Sequence, residues 1–150
     1  MKKVFINYTD YSNGEWIDIH YIGTDIKESI EKFKENLKQS LSSGPDDQHT
    51  FYLVEVNLKN KDYDRLLQVE QNESLYDSNI IEEFETNYKF KTICWDDHSG
   101  NLEILRMYCE DNNLDYDDDD IYQDVRDLLW NEENEELYNI YIDKYIKKTF

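Results

Sequence analysis

The chain of 150 residues contains no alanine, one proline and four glycines, and its 16 basic side chains stand against 35 acidic ones, a net charge of −19. The scarcity of proline and glycine excludes collagen-like and proline-rich classes. No stretch approaches the roughly 20 apolar residues that a membrane helix needs. The opening Met1-Lys2-Lys3-Val4-Phe5-Ile6-Asn7-Tyr8 carries two lysines but reaches Asp10 before the apolar core of a signal peptide forms. The expected location is therefore the cytoplasm, for the partners argued below that of a bacterial host. Cys94 and Cys109 form no CxxC pair, which removes support for a zinc knuckle. They read as buried free thiols of a reducing compartment in preference to a disulfide.

Motifs that carry chemistry are also missing. There is no glycine-rich phosphate loop, no GxSxG and no HExxH, and the histidines His20, His49 and His98 are far apart. Asp96-Asp97-His98 reads as a polar loop in preference to half of an acid–base site, and paired carboxylates in so acidic a chain diagnose no hydrolysis. The expectation is a protein without catalytic residues, metal or cofactor. Excess acid also argues against direct binding to nucleic acid, because phosphates are repelled.

Strong net charge usually accompanies disorder, since repulsion is large and little apolar surface is available. Here 13 Tyr, 6 Phe and 3 Trp, with many Ile and Leu, supply that surface. The pattern predicts a folded single domain over 1–150 with an acidic skin and a subdomain boundary near 97–101, at Asp97-His98-Ser99-Gly100.

Residues 2–9 and 15–22 read as strands joined through Asn13-Gly14, a hairpin signal. The apolar set in the second alternates imperfectly, which suits a strand covered on both faces for part of its length. Residues 25–42 form the clearest helix. Asp25 and Glu28 make a capping-box pattern, and Ile26, Ile30, Phe33, Leu37 and Leu41 make one stripe. The run Ser42-Ser43-Gly44-Pro45-Asp46-Asp47 ends it. Residues 50–58 read as a strand, and 63–70 as another from the alternation of Leu67 and Val69. A helical turn is expected near 78–86, with Ser78 as cap and Ile80, Ile81 and Phe84 on one side, then a strand at 88–95. Beyond about 100, Leu102, Leu105, Tyr108 and Cys109 recur at helical spacing, as do Ile121, Val125, Leu128 and Leu129. Leu137, Ile140, Tyr141 and Tyr145 fit a helix or a strand, either buried in the core or forming a homodimer seam. Lys144, Lys147 and Lys148 suit a helix C-terminus. The sum is an α+β fold: an N-terminal β-hairpin and helix forming a small antiparallel sheet layer, then a mainly helical acidic part.

The charge is uneven. Residues 1–75 carry net −5 and residues 76–150 net −14. From Glu110 to Glu136 there are 13 acids in 27 residues, with Arg126 the only base. An EF-hand register starting at Asp115 puts Asp120 where glycine is required and Arg126 where a bidentate Glu is required. Starting at Asp111 puts Tyr116 and Tyr122 there, so both registers fail. A solvated face just before a helix is the plainer reading. Yet solubility needs a net charge of only roughly 2 to 8, and this chain carries far more at a cost in self-repulsion. The third reading is imitation of nucleic acid. Duplex DNA has one charge per roughly 1.7 Å of axis, and a helix rises about 1.5 Å per residue. Acids at about every second position approach that density. The candidate partner-binding carboxylates are Glu110, Asp111, Asp115, Asp117, Asp118, Asp119, Asp120, Asp124, Asp127, Glu132, Glu133, Glu135 and Glu136. Tyr116 and Tyr122 are expected beside them as exposed anchors, and Tyr108 and Trp130 as core.

In size and acidity the chain resembles the inhibitors that phages and mobile elements direct against host defence, the anti-CRISPR and ArdA-type antirestriction proteins. An opening strand, then Tyr11-Ser12-Asn13-Gly14, then Trp16-Ile17-Asp18 is similar to the ArdA pattern over residues 4–18, with a shorter spacer between glycine and tryptophan. No motif in the later part aligns with it. The anti-CRISPR resemblance rests on size, acidity and a lysine- and asparagine-rich composition. It implies stoichiometric inhibition of a DNA-binding nuclease, as a DNA mimic or a steric block. A Cas9-type enzyme is the preferred partner, because its guide–target duplex lies in a positively charged channel, and a restriction enzyme comes next. The alternative is an immunity protein or antitoxin neutralising a basic nuclease toxin.

Overall fold

A computed structural model describes residues 1–11, 17–43, 50–71 and 77–148. The elements run β1 (Lys2–Asp10), β2 (Ile17–Gly23), α1 (Ile26–Ser43), β3 (Thr50–Leu58), α2 (Asn60–Gln71), α3 (Asp77–Asn87) and β4 (Lys91–Asp96). There follow α4 (Asp97–Asp111), α5 (Asp119–Leu129), a 3-10 turn (Glu132–Asn134) and α6 (Glu135–Lys147). The fold is α+β with a mainly helical C-terminal part, as the pattern predicts. The chain divides into two compact units, Met1–Trp95 and Asp96–Phe150.

The first unit is built on a four-stranded antiparallel sheet in the order β2-β1-β3-β4. Six consecutive residues of β1, Val4 to Thr9, are buried. Successive strand side chains point to opposite faces, so this run means that β1 is covered on both. On one face Val4, Ile6 and Tyr8 pack with Val54, Val56 and Leu58 of β3, Leu66 of α2, and Ile80, Ile81 and Phe84 of α3. On the other, β1 meets α1. Asn7 Nδ2 donates to the Ser29 carbonyl at 2.8 Å, and Ser29 Oγ donates to Asn7 Oδ1 at 3.1 Å. Both residues are fully buried.

The imperfect alternation of β2 has a structural cause. Asn7 pairs with Tyr21, but Tyr8 pairs with Ile19, so His20 is the extra residue of a β-bulge. The bulge shifts the parity of the strand. It lets Ile17 and Ile19 before it and Ile22 after it pack against the same core cluster.

At the start of α1, Asp25 Oδ1 accepts from the backbone N–H of Lys27 at 2.8 Å and of Glu28 at 3.5 Å. The Glu28 carboxylate accepts from the Tyr21 hydroxyl at 3.2 Å. Phe33 and Leu37 are buried and Ile30 is half-buried, whereas Ile26 in the first turn is exposed. The side chain of Leu41, that of Ser78, the Asn13-Gly14 turn and the run Gly44–Asp47 lie outside the described residues.

Two expectations need correction. Residues 63–70 belong to helix α2, not to a strand. Leu67 and Val69 do alternate, but Tyr63, Leu66 and Leu67 recur at i, i+3 and i+4, and Leu66 is fully buried. The Arg65 guanidinium then pairs with Glu83 of α3 through two bonds, 2.8 and 2.5 Å long. Tyr88 Oη donates a short hydrogen bond to Asp62. Cys94 is exposed, not buried. Ile93 and Trp95 alternate into the core, which turns Cys94 to the other face of a strand at the sheet edge. Among the described residues neither cysteine forms a disulfide, and Cys109 is buried.

In the second unit, α6 is a helix, with Tyr138, Tyr141, Ile142 and Ile146 on its buried side. Ile140 is half exposed, at 50 %. Tyr138 Oη donates to Asn101 Oδ1 of α4 at 3.1 Å, and Tyr108 meets Tyr141 edge-on at 5.7 Å. Among the described residues no helix is long and apolar enough to cross a membrane.

Candidate interaction surface

The second unit holds 17 acids against 5 bases, a net −12, so most of the charge lies in its 55 residues. How that charge is displayed depends on the turn between α4 and α5. Helix α4 ends with Asn113 at φ 54°, in the left-handed region that asparagine tolerates. The Leu114 N–H bonds to the Cys109 carbonyl at 2.8 Å and the Asn113 N–H to that of Glu110 at 3.4 Å. These two bonds are the signature of a Schellman stop.

The chain then makes a turn held by its own acids. Asp115 Oδ1 accepts from the Asp117 N–H at 3.0 Å. Asp118 has extended backbone angles and caps α5, its Oδ1 accepting from the N–H groups of Asp120 at 3.0 Å and Ile121 at 3.3 Å. Asp119 and Asp120 lie in the first turn, where the helix dipole favours negative charge. Thus Asp115 and Asp118 are spent on local structure, while Asp117, Asp119 and Asp120 project freely.

Within α5 only Val125 and Leu129 are buried. Asp120, Asp124 and Asp127 recur at i, i+4 and i+7 and are exposed. Neighbouring like charges at this spacing cost roughly 0.2–0.5 kcal/mol per pair. The four exposed acids Asp119, Asp120, Asp124 and Asp127 cover about 12 Å of axis, or about one charge per 4 Å. That is near the density of one DNA strand, about 3.4 Å per charge, and not of the duplex.

The exposure of the candidate carboxylates is uniform. Glu110, Asp111, Asp115, Asp117 to Asp120, Asp124, Asp127, Glu133, Glu135 and Glu136 are all exposed. The side chain of Glu132 lies outside the described residues. Among the described residues no cation pairs with Glu110, Asp117, Asp119, Asp120, Asp124, Asp127, Glu133 or Glu136. Asp111 differs. It accepts from Lys144 Nζ at 2.7 Å and from the Tyr141 hydroxyl at 3.0 Å. These two donors hold its carboxyl below the usual carboxylate range. Burial and the bond to Asp111 push Tyr141 up to about 12, so the phenol stays protonated and keeps donating.

The expected placement of the aromatic side chains needs correction. Tyr116 and Tyr122 are half-buried, not exposed, because their rings meet edge-on at 5.9 Å and Arg106 lies over Tyr116 at 5.6 Å. Burial raises the Tyr116 hydroxyl, with Tyr122 adding to it. Tyr108 and Trp130 are also half-buried instead of core, and Arg126 covers the Trp130 ring at 5.3 Å. Both arginines of the unit therefore lie over aromatic rings amid the acids. Nothing in the linear acidic pattern marks Arg106 or Lys144 as structural partners of that surface.

The lysines of the unit gather at one edge of that surface. Lys144, Lys147 and Lys148 at the end of α6 wall a shallow cleft of about 430 Å³ with Met107, Glu110 and Asp111. Lys148 also reaches Glu103 at 3.6 Å. Among the described residues no three acidic, histidine or cysteine side chains converge in a metal-binding arrangement. The side chains of Asp96, Asp97 and His98, and residue His49, lie outside the described residues. Comparison with protein-family models, curated proteins and solved structures gives no match.

Proposed function

We propose that this protein is an acidic inhibitor of a bacterial DNA-binding nuclease. It acts without chemistry of its own, as a mimic of DNA or as a block on a basic channel. A Cas9-type effector is the preferred target, and a restriction enzyme is second. The observation that carries the reading is the display of carboxylates between Glu110 and Glu136, exposed at every described position and mostly unpaired by cations. An ordinary solvated surface intersperses both signs. Here most of the described acids between Glu110 and Glu136 have no cation partner among the described residues, and the two arginines nearby lie over rings. Opposite fields steer association, so binding to a basic channel is fast and weakens as salt rises.

Order of addition in a DNA-cleavage assay with purified Cas9 ribonucleoprotein tests this. Inhibition only when the protein precedes target DNA supports competition for the channel. Inhibition in either order supports a block on the nuclease domain or a conformational lock. No effect on several Cas9 types moves the assignment to restriction enzymes or to a basic toxin, with this chain as its immunity protein. Affinity that is unchanged by moderate salt would sink charge imitation.

A further inference from the structure

A different chemistry lies in the sheet unit. The Thr9 hydroxyl is fully buried on the α1 side of β1, and its Oγ1 lies 2.6 Å from His20 Nε2. His20 is the bulged residue of β2, so its side chain comes to the face shared by Thr9 and Tyr21. Asp18 sits directly across from Thr9 in the register and is exposed. The half-buried imidazole therefore has two available neighbours, a buried hydroxyl inward and a solvated carboxylate outward. A neutral ring suits the first, where Nε2 and the hydroxyl oxygen share one hydrogen bond whose direction follows the tautomer. A charged ring suits the second, because leaving a charge in a partly desolvated site is costly.

We propose that His20 is a proton-operated latch on the β1–β2 hairpin, seated on Thr9 when neutral and turned out to Asp18 when protonated, which loosens the pairing of Thr9 and Asp10 with Asp18 and Ile17. The surroundings agree with this assignment. Burial lowers the basicity of His20, opposed by Asp18. Tyr11, at the end of β1, is engaged by Thr9 and feels Asp18. On α1, Glu28 is occupied by the Tyr21 hydroxyl, and Asp25 bears on Tyr21 in the same way. Asp10 bears on Tyr52, on the opposite face of the sheet.

The sign follows from linkage. A base whose folded pKa lies below its ordinary value, about 6.5, is neutral in both states at pH 7.5. As pH falls below 6.5 the opened hairpin takes the proton first, so the latch weakens from there down to the folded value. The experiment is an NMR titration of the His20 imidazole in the full chain, with backbone amide exchange expressed as protection factors at pH 7.5 and pH 5. The expected result is a half-titration below 6.5. Protection of β1–β2 amides near Thr9 should fall by about tenfold for each pH unit of depression, while β1–β3 amides keep theirs. His20→Gln should abolish this pH dependence, and Asp18→Asn should lower the half-titration further. A half-titration at or above 6.5 in the unaltered protein overturns the latch. So does a loss of protection shared equally by β1–β3, or one that persists in His20→Gln.

Discussion

Lys144 Nζ lies 2.7 Å from Asp111 Oδ2, the same oxygen that accepts from the Tyr141 hydroxyl at 3.0 Å. This ties the last residue of α4 to the middle and the last turn of α6 and takes Asp111 out of the pool of free surface charge. Asp111→Asn is therefore expected to act on stability and not on inhibition. Thermal unfolding should shift down by on the order of 2 °C at neutral pH, with the cleavage assay unchanged. The shift has a pH signature. The folded carboxyl titrates below the unfolded one, so its stabilisation is fully present above about pH 4 and fades as pH drops further. The difference in Tm between Asp111→Asn and the unaltered chain should thus shrink under strong acid. If it persists there unchanged, the ion pair is not its cause.

Asp118 offers a way to separate charge from capping within one carboxylate. Its Oδ1 holds two backbone N–H groups at the start of α5. Asp118→Ala removes cap and charge together and should cost about 1 kcal/mol. Asp118→Asn keeps a good cap and removes only the charge, so urea denaturation should place it close to the unaltered protein. Equal destabilisation by the two substitutions would mean that the dipole, not the cap bonds, is what Asp118 serves.

The same residues show where sequence reasoning succeeds. Phe33 and Leu37 on α1, and Ile80, Ile81 and Phe84 on α3, are buried as their helical spacing predicts. Which of the acids from Glu110 to Glu136 are exposed is not legible in the sequence, although charged side chains rarely lose water without a partner, and the structure exposes them at every described position. Other features depend on register and on neighbours distant in sequence. The bulge at His20 is defined by its place between the partners of Asn7 and Tyr8 on β1, and no pattern within β2 alone locates it. The α2 segment misreads because Leu67 and Val69 alternate by chance, while the decisive Leu66 is neighboured by charge. Tyr116 and Tyr122 read as exposed because their flanking aspartates are. Their cover comes from each other and from Arg106, ten residues upstream of Tyr116.

The pair Asn7–Ser29 is the polar lock between the sheet and α1. Asn7 both donates to the Ser29 carbonyl and accepts from its hydroxyl, with no exposure on either side. Asn7→Ala leaves the buried Ser29 hydroxyl without its acceptor, takes a second donor from the Ser29 carbonyl and opens a void, so a loss of about 2–4 kcal/mol is expected by chemical denaturation. Ser29→Ala leaves only Asn7 Oδ1 without its donor and keeps the bond from Nδ2, so about 1–2 kcal/mol is expected. A Ser29→Ala loss as large as that of Asn7→Ala would show that the hydroxyl, and not the carbonyl, carries the lock.

The freely projecting acids supply the sharpest test of the proposed function. Among the described residues Asp117, Asp119 and Asp120 carry no cation partner, and they hold no cap. The combined substitution Asp117→Asn, Asp119→Asn, Asp120→Asn spares Asp118 and should leave the fold of α5 intact by circular dichroism. If these charges steer the protein into a basic channel, its association rate at low salt should drop by about tenfold. The dissociation rate should move much less, and the curves for substituted and unaltered protein should converge as salt is raised. Charge reversal of the same three residues to lysine should abolish inhibition. Full inhibition by the lysine variant, with its fold preserved, would remove this surface from the interface and leave steric blockage by another face as the mode of action.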